Sequence, residues 1–108
     1  MNLSTEIFGD VIVVHTPEEL GADQCDAFET YIPTLERQYV VLDMDATETI
    51  DSKGLATLLN VQDKLRDMGG EAKIATGNAT NRKILELTRL DQQLEVFDSV
   101  VDAVKSFQ

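Results

Sequence analysis

The stretch YVVLDMDATETIDSKGLATLLNVQDKLRDMGGEAKIA (residues 39–75) changes from a strand pattern to a helix pattern and back. Residues 39–44 (YVVLDM) form the kind of apolar run found in a strand that is covered on both faces. From Ser52 to Met68, apolar residues recur every three or four positions, which predicts a helix closed by a Gly-Gly C-cap. Residues 73–76 (KIAT) predict a second strand. This order indicates parallel strands joined by a right-handed crossover.

Upstream of this stretch, the sequence predicts a hairpin followed by an amphipathic helix. Residues 6–8 and 11–15 are typical of two strands joined by a Gly-Asp turn. In residues 21–38, helical spacing collects apolar residues on one face: Cys25, Phe28, Ile32 and Leu35. Pro33 lies inside this segment and predicts a kink or a break close to it.

Downstream, the pattern predicts one more helix, strand and helix. Asn78 can cap a helix that carries Ile84, Leu85 and Leu87, residues 94–97 (LEVF) form a strand, and an Asp-Ser pair can cap the last helix. The 108 residues fit one compact domain, residues 1–108. The predicted fold is α/β, with a four- to five-stranded mixed, mostly parallel sheet and about four helices.

The charge balance restricts the classes of partner. Nine Lys and Arg residues stand against twenty Asp and Glu, which gives a net charge of −11. Binding to nucleic acid or to an anionic membrane surface is therefore not expected, because both need an excess of cationic side chains. A basic protein partner would be attracted instead. No apolar run approaches the roughly 20 residues of a membrane span, so a cytoplasmic location is expected.

Candidate catalytic and metal-binding groups are sparse. His15 is the only histidine and is interpreted as structural or exposed. Cys25 is a single thiol on the apolar face of a helix and is interpreted as a semi-buried structural thiol. No glycine-rich phosphate loop of the dinucleotide or mononucleotide type occurs. Asp43 and Asp45 could offer two oxygen ligands to a cation, or one of them could accept a phosphoryl group as in a receiver domain. A receiver domain needs a lysine after its last strand, where this chain has Asp98.

Asp51 and Ser52 open the predicted helix at the carboxyl edge of the sheet, where open α/β sheets place their functional groups. The simpler interpretation is that they cap the helix. The alternative is that Ser52 is modified, because a helix N-terminus favours an anion. A phosphate there would be tolerated by the fold and would add close to two negative charges. The local residues leave both interpretations open.

The wider pattern resembles the STAS family, the anti-sigma factor antagonists of bacterial partner-switching systems. Their hallmark is a buried strand, a polar loop and Asp-Ser-(Ser/Thr)-Gly-Leu at the start of a helix, which corresponds to residues 51–55 here. The resemblance is gap-free from Tyr39 to about Ala75. It continues more loosely through RKILELTRLDQQLEVFDSVVDAV (residues 82–104).

The resemblance implies a binding module without catalytic residues, cofactor or metal. Its partner would be a serine kinase related to histidine-kinase ATPases that doubles as the anti-sigma factor. That kinase would phosphorylate Ser52, and a PP2C-type serine phosphatase would reset the protein. The unphosphorylated chain would capture the kinase through a surface formed by Asp51, Ser52, Lys53, Gly54 and Leu55.

Three departures from the family pattern concern the partner more than the fold. Lys53 replaces the usual Ser or Thr, Gly21 stands where many members have Asp before the first helix, and residues 88–90 read Thr-Arg-Leu where many read Ser-Gly-Leu. Two alternatives therefore remain beside the antagonist. One is a constitutive STAS subunit of a larger regulatory or transporter assembly, with Ser52 acting only as a cap, and the other is the receiver-like phosphotransfer domain.

Overall fold

The computed structural model describes all 108 residues and contains seven strands and four α-helices. The strands are β1 (Thr5–Phe8), β2 (Val11–His15), β3 (Glu19–Leu20), β4 (Tyr39–Asp43), β5 (Thr49–Ile50), β6 (Glu71–Ala75) and β7 (Val96–Phe97). The helices are α1 (Ala22–Thr34), α2 (Ser52–Asp67), α3 (Ala79–Leu87) and α4 (Val100–Ser106), with a short 3-10 turn at Leu90–Gln92. None of these helices has both the length and the hydrophobicity needed to span a membrane.

Five strands form the main sheet in the order β1-β2-β4-β6-β7. The hairpin partners β1 and β2 are antiparallel, and every other neighbouring pair is parallel. Residues Val11 to His15 lie opposite Tyr39 to Asp43, so β2 and β4 end together at the carboxyl edge. The prediction of a mixed, mostly parallel sheet with four helices is confirmed.

The two faces of the sheet are covered unequally. Helices α1, α2 and α3 enclose a core of 16 buried residues on one face, which includes Phe28, Leu42, Leu58 and Leu85. The other face carries a core of six buried residues, which includes Val13, Val41 and Val104, and α4 is the helix that packs there. Successive residues of β2 alternate between these two cores, as expected for a strand covered on both sides.

The two long helices end close to the proline and the glycine that the sequence pointed to. Pro33 lies in the last turn of α1, and the helix ends one residue later, close to the predicted break. Helix α2 ends where predicted, with Gly69 at a φ of +81° that suits glycine. The N–H of Gly70 then donates to the carbonyl oxygen of Leu65 at 2.8 Å, which closes the helix.

A second, two-stranded sheet was not predicted. Strands β3 and β5 pair in parallel, Glu19 opposite Thr49 and Leu20 opposite Ile50. Two residues are too few for an alternating pattern to be visible in the sequence. Strands β6 and β7 also differ from the expected bounds, because β6 begins at Glu71 and β7 contains only two residues.

A buried lysine joins α4 to the sheet. Lys73 on β6 is only 6% exposed, and its Nζ donates a hydrogen bond to Ser106 Oγ at 2.8 Å. The same ammonium lies 4.2 Å from the centre of the Phe107 ring and 3.7 Å from Glu95 Oε1. A buried charge needs such partners. The face of an aromatic ring attracts a cation and also packs against the aliphatic part of the lysine side chain.

We expect Leu42→Ala to lower the free energy of unfolding by about 2–5 kcal/mol, since it leaves a cavity in the core. Leu42 is fully buried on β4, the central strand of the sheet. The control is Leu87→Ala on α3, whose side chain is 74% exposed, and it should change that free energy by less than about 0.5 kcal/mol. Urea unfolding followed by circular dichroism measures both, and equal losses would contradict this assignment of the core.

Candidate functional site

The loop between β4 and α2 is anchored at the carboxyl edge of the sheet by buried polar side chains. Thr47 donates to the carbonyl oxygen of Pro17 at 2.6 Å, and its hydroxyl lies 2.5 Å from that of Thr16. The amide of Asn81 donates to the carbonyl oxygens of Met44 and Thr47. Because these groups are buried and paired, the loop delivers the chain to the start of α2 in one defined conformation.

The N-cap of α2 is Asp51, and Ser52 is the first helical residue. Asp51 has extended backbone angles, and its Oδ1 accepts from the Gly54 N–H at 2.8 Å. Capping is thus done by the carboxylate, and the exposed Ser52 hydroxyl is not needed for it. The interpretation in which Ser52 serves as the cap is wrong for this structure.

Both oxygens of Asp51 are used, and they bind to different helices. Oδ2 accepts from the backbone N–H of Ala22, the first residue of α1, at 3.1 Å. These bonds favour the ionised carboxylate. The Gly54 N–H lowers the pKa of Asp51 most, desolvation opposes it, and the Ala22 N–H and the N–H and charge of Lys53 lower it further.

The five residues predicted as a kinase-binding surface are placed differently from one another. Asp51, Ser52 and Lys53 are exposed, and Leu55 is half-buried against the larger core. Gly54 is buried, and a Cβ at this position would lie 2.0 Å from the carbonyl oxygen of Leu20. Gly54 therefore lets α2 cross β3 at backbone distance, and it supports the surface from below without being part of it.

A cleft between α1 and α2 lies beside this turn and was not found in the sequence. Its volume is about 210 Å³, and its lining includes Asp26, Glu29, Lys53 and Asn60. Asn60 donates to Glu29 Oε1 at 2.8 Å across the two helices. No single segment carries this cleft, since its residues are about 30 positions apart. Two departures from the family pattern lie at this cleft: Lys53, which lines it, and Gly21, which precedes α1.

The other candidate groups have structural partners. Asp43 ends β4 and lies 2.9 Å from His15 Nδ1, whose Nε2 is 2.8 Å from Glu6. Asp45 lies in the turn beyond the strand, and its Oδ1 accepts from the Gly77 N–H. The thiol of Cys25 is buried and donates to the Gly21 carbonyl oxygen. No three His, Cys, Asp or Glu side chains converge as a metal site would require.

This fold and site correspond to a known family. The sequence profile of the STAS domain matches residues 2–103, so the chain belongs to the STAS domain family. A relative from Thermotoga neapolitana, provisionally named an anti-sigma factor antagonist, is 23% identical over 107 residues, which cover 95% of each chain. Because the chain belongs to this family, the receiver-like alternative is set aside.

Solved structures share the architecture. The crystal structure of an anti-sigma factor antagonist from Mycobacterium paratuberculosis has a TM-score of 0.84 and 24% identity, with coverage of 97% of this chain and 92% of that one. The Bacillus cell fate determinant SpoIIAA in its phosphorylated form has a TM-score of 0.71 and 15% identity, with coverage of 99% and 100%. At these identities the likeness establishes the fold.

We expect Asp51→Asn to remove a pH dependence of stability. Because folding lowers the pKa of Asp51 below its ordinary 3.8, its contribution is complete above that value and is lost as the pH falls through the folded pKa. The free energy of unfolding should therefore differ most between wild type and Asp51→Asn well above pH 3.8, and the difference should shrink as the pH falls below 3.8.

Urea titrations across this range measure the difference. Asp63→Asn, at an exposed aspartate of the same helix, is the control for the loss of one negative charge on α2. A constant difference for Asp51→Asn would show that the two backbone bonds do not stabilise the charged form.

Gly54→Ala should destabilise the fold by more than about 2 kcal/mol, because the new methyl group meets backbone that cannot move aside. The matched control is Gly77→Ala, whose Cβ would approach nothing closer than 3.7 Å. It should be neutral or stabilising by up to about 1 kcal/mol, since alanine restricts the unfolded chain. Thermal unfolding of both variants is the measurement, and similar melting temperatures would refute the close approach.

Proposed function

We propose that this chain is a non-enzymatic anti-sigma factor antagonist of a cytoplasmic partner-switching system, switched by phosphorylation of Ser52. The observation that carries the proposal is that Asp51 and Ser52, adjacent at the start of α2, have different tasks. Asp51 caps the helix, which leaves the Ser52 hydroxyl exposed at the N-terminus. A kinase can therefore phosphorylate this hydroxyl without breaking the capping hydrogen bond of Asp51.

The electrostatics of the turn suit a phosphate. The N-terminal end of a helix favours a negative group by about 0.3–1 kcal/mol. Lys53 is exposed beside Ser52 and offers a further positive charge. A phosphate on Ser52 should thus leave the fold intact while it adds nearly two negative charges to the surface. The modification would change what the surface binds and not how the chain folds.

The partner in this proposal is a serine kinase of the histidine-kinase-like ATPase type that is also the anti-sigma factor. The unmodified chain captures it through the exposed residues Asp51, Ser52 and Lys53, the half-buried Leu55 and the outer face of α2, with Gly54 as their support. A phosphate buried in that interface without a partner would cost about 2–5 kcal/mol of binding. A PP2C-type phosphatase restores the binding form.

The named relatives support this assignment. The M. paratuberculosis protein is an anti-sigma factor antagonist, and SpoIIAA is known in a phosphorylated form. Both share this chain's fold over nearly its whole length. The net charge of −11 is consistent with capture of a protein instead of nucleic acid.

The test is to incubate the chain with Mg-ATP and each purified histidine-kinase-like ATPase of the source organism. One of them should phosphorylate the wild type on Ser52, and Ser52→Ala should accept no phosphate yet bind that ATPase as tightly as the wild type. Ser52→Asp should fold normally by circular dichroism and bind more than about tenfold more weakly, as a buried unpaired charge would.

Ser4→Ala is the matched control, because Ser4 is also an exposed serine; it should be phosphorylated and bound as the wild type is. Calorimetry gives the affinities. Equal affinity of the ATPase for the wild type, Ser52→Asp and the phosphorylated chain would overturn the switch and favour the constitutive subunit of a larger assembly.

A further inference from the structure

We propose that Asp51 is a positioning residue that fastens the start of α1 to the phosphorylatable turn of α2, so that the kinase meets the α1–α2 cleft and Ser52 as one preformed surface. This inference rests on the proposed function. It assigns to Asp51 a second role, distinct from capping its own helix, and it gives α1 a part in kinase recognition.

The geometry that carries the proposal is a single carboxylate shared by two helix ends. Oδ1 accepts from the Gly54 N–H in α2 at 2.8 Å, and Oδ2 accepts from the Ala22 N–H in α1 at 3.1 Å. The first N–H groups of a helix have no partner within the helix, so each helix end gains a charge-assisted bond. Because the two oxygens belong to one rigid planar group, the two helix starts cannot move apart without breaking one bond.

Gly21 makes the second bond possible. It is the N-cap residue of α1 but has no side chain with which to cap the helix. A Cβ on Gly21 would lie 2.9 Å from Asp51 Oδ2, within the space that the carboxylate occupies. The N–H of Gly21 is held separately by Gln24 Oε1 at 3.1 Å. An oxygen from the start of the other helix thus lies beside Gly21 and accepts from the first N–H of α1.

The consequence lies in the cleft that the two helix starts enclose. Ala22 lines it from α1 and Lys53 lines it from α2. The Asp51 carboxylate bonds Ala22 to Gly54, the residue next to Lys53, and Ser52 lies between Asp51 and Lys53 in the chain. A partner that places one side chain in the cleft would therefore find the Ser52 hydroxyl at a fixed distance from it. Preformed surfaces bind more tightly because less motion is lost on binding.

Two substitutions separate this role from the capping of α2. Gly21→Ala places a methyl group against Oδ2, and the flexible end of Asp51 can move away from Ala22 while Oδ1 stays on Gly54. Asp51→Asn keeps one acceptor oxygen, and asparagine caps helices well, so it too can serve α2 but not both helices. Gly77→Ala is the matched control at a glycine where a Cβ would approach nothing closer than 3.7 Å.

The measurement is steady-state phosphorylation of the full chain by the ATPase that modifies the wild type. Gly21→Ala and Asp51→Asn should each raise KM by about fivefold or more with kcat within about twofold, the pattern of lost binding without lost chemistry. The double variant should be no worse than either single one, because both remove the same bond. Hydrogen exchange at the Ala22 N–H should be faster in all three, and Gly77→Ala should match the wild type throughout.

The outcomes separate the two proposals. If no ATPase phosphorylates the wild type, the proposed function fails and the positioning role falls with it. If the wild type is phosphorylated but Gly21→Ala keeps the wild-type KM despite faster exchange at Ala22, only the positioning role is overturned. Additive increases in KM in the double variant would likewise overturn it, since they would mean that Gly21 and Asp51 act through different contacts.

Discussion

The backbone of α2 passes so close to the carbonyl oxygen of Leu20 that only a glycine fits between them, and this contact fixes where the helix begins. A Cβ at Gly54 would lie 2.0 Å from that oxygen. The short β3–β5 pairing holds Leu20 opposite Ile50, so the strand before α1 and the strand before α2 are held together where Gly54 meets Leu20. Everything that makes the turn chemically distinct, including the position of Asp51 and the exposure of Ser52, depends on the helix starting at this point.

Of the two neighbouring residues in this turn, Asp51 holds the fold together and Ser52 does not. The carboxylate of Asp51 binds two backbone N–H groups, whereas the adjacent hydroxyl of Ser52 is left free at the surface. A carboxylate is the better group for this holding task, because it has two acceptor oxygens and a full charge at a helix N-terminus. In the proposed function, this places the structural task and the chemical task on different side chains.

The parts of the fold that could be predicted from the sequence are those with long local patterns. The apolar run of β4 and the leucine spacing of α2 each span enough residues for periodicity to identify them. What was missed depends on contacts between distant segments: the two-residue β3 and β5, the burial of Lys73, and the bond from Asp51 to Ala22, 29 positions apart. Local patterns singled out Asp51 and Ser52 as candidate site residues but could not decide which of them caps the helix.

The burial of Lys73 has a consequence for how the chain folds during synthesis. Its ammonium leaves water only when Ser106 and Phe107 are in place, and these follow it by more than 30 residues. Until α4 has left the ribosome, the strand that carries Lys73 has a hydrated cation on a face that is otherwise apolar. The charge would keep that exposed face soluble in the nascent chain, and α4 would then cover it.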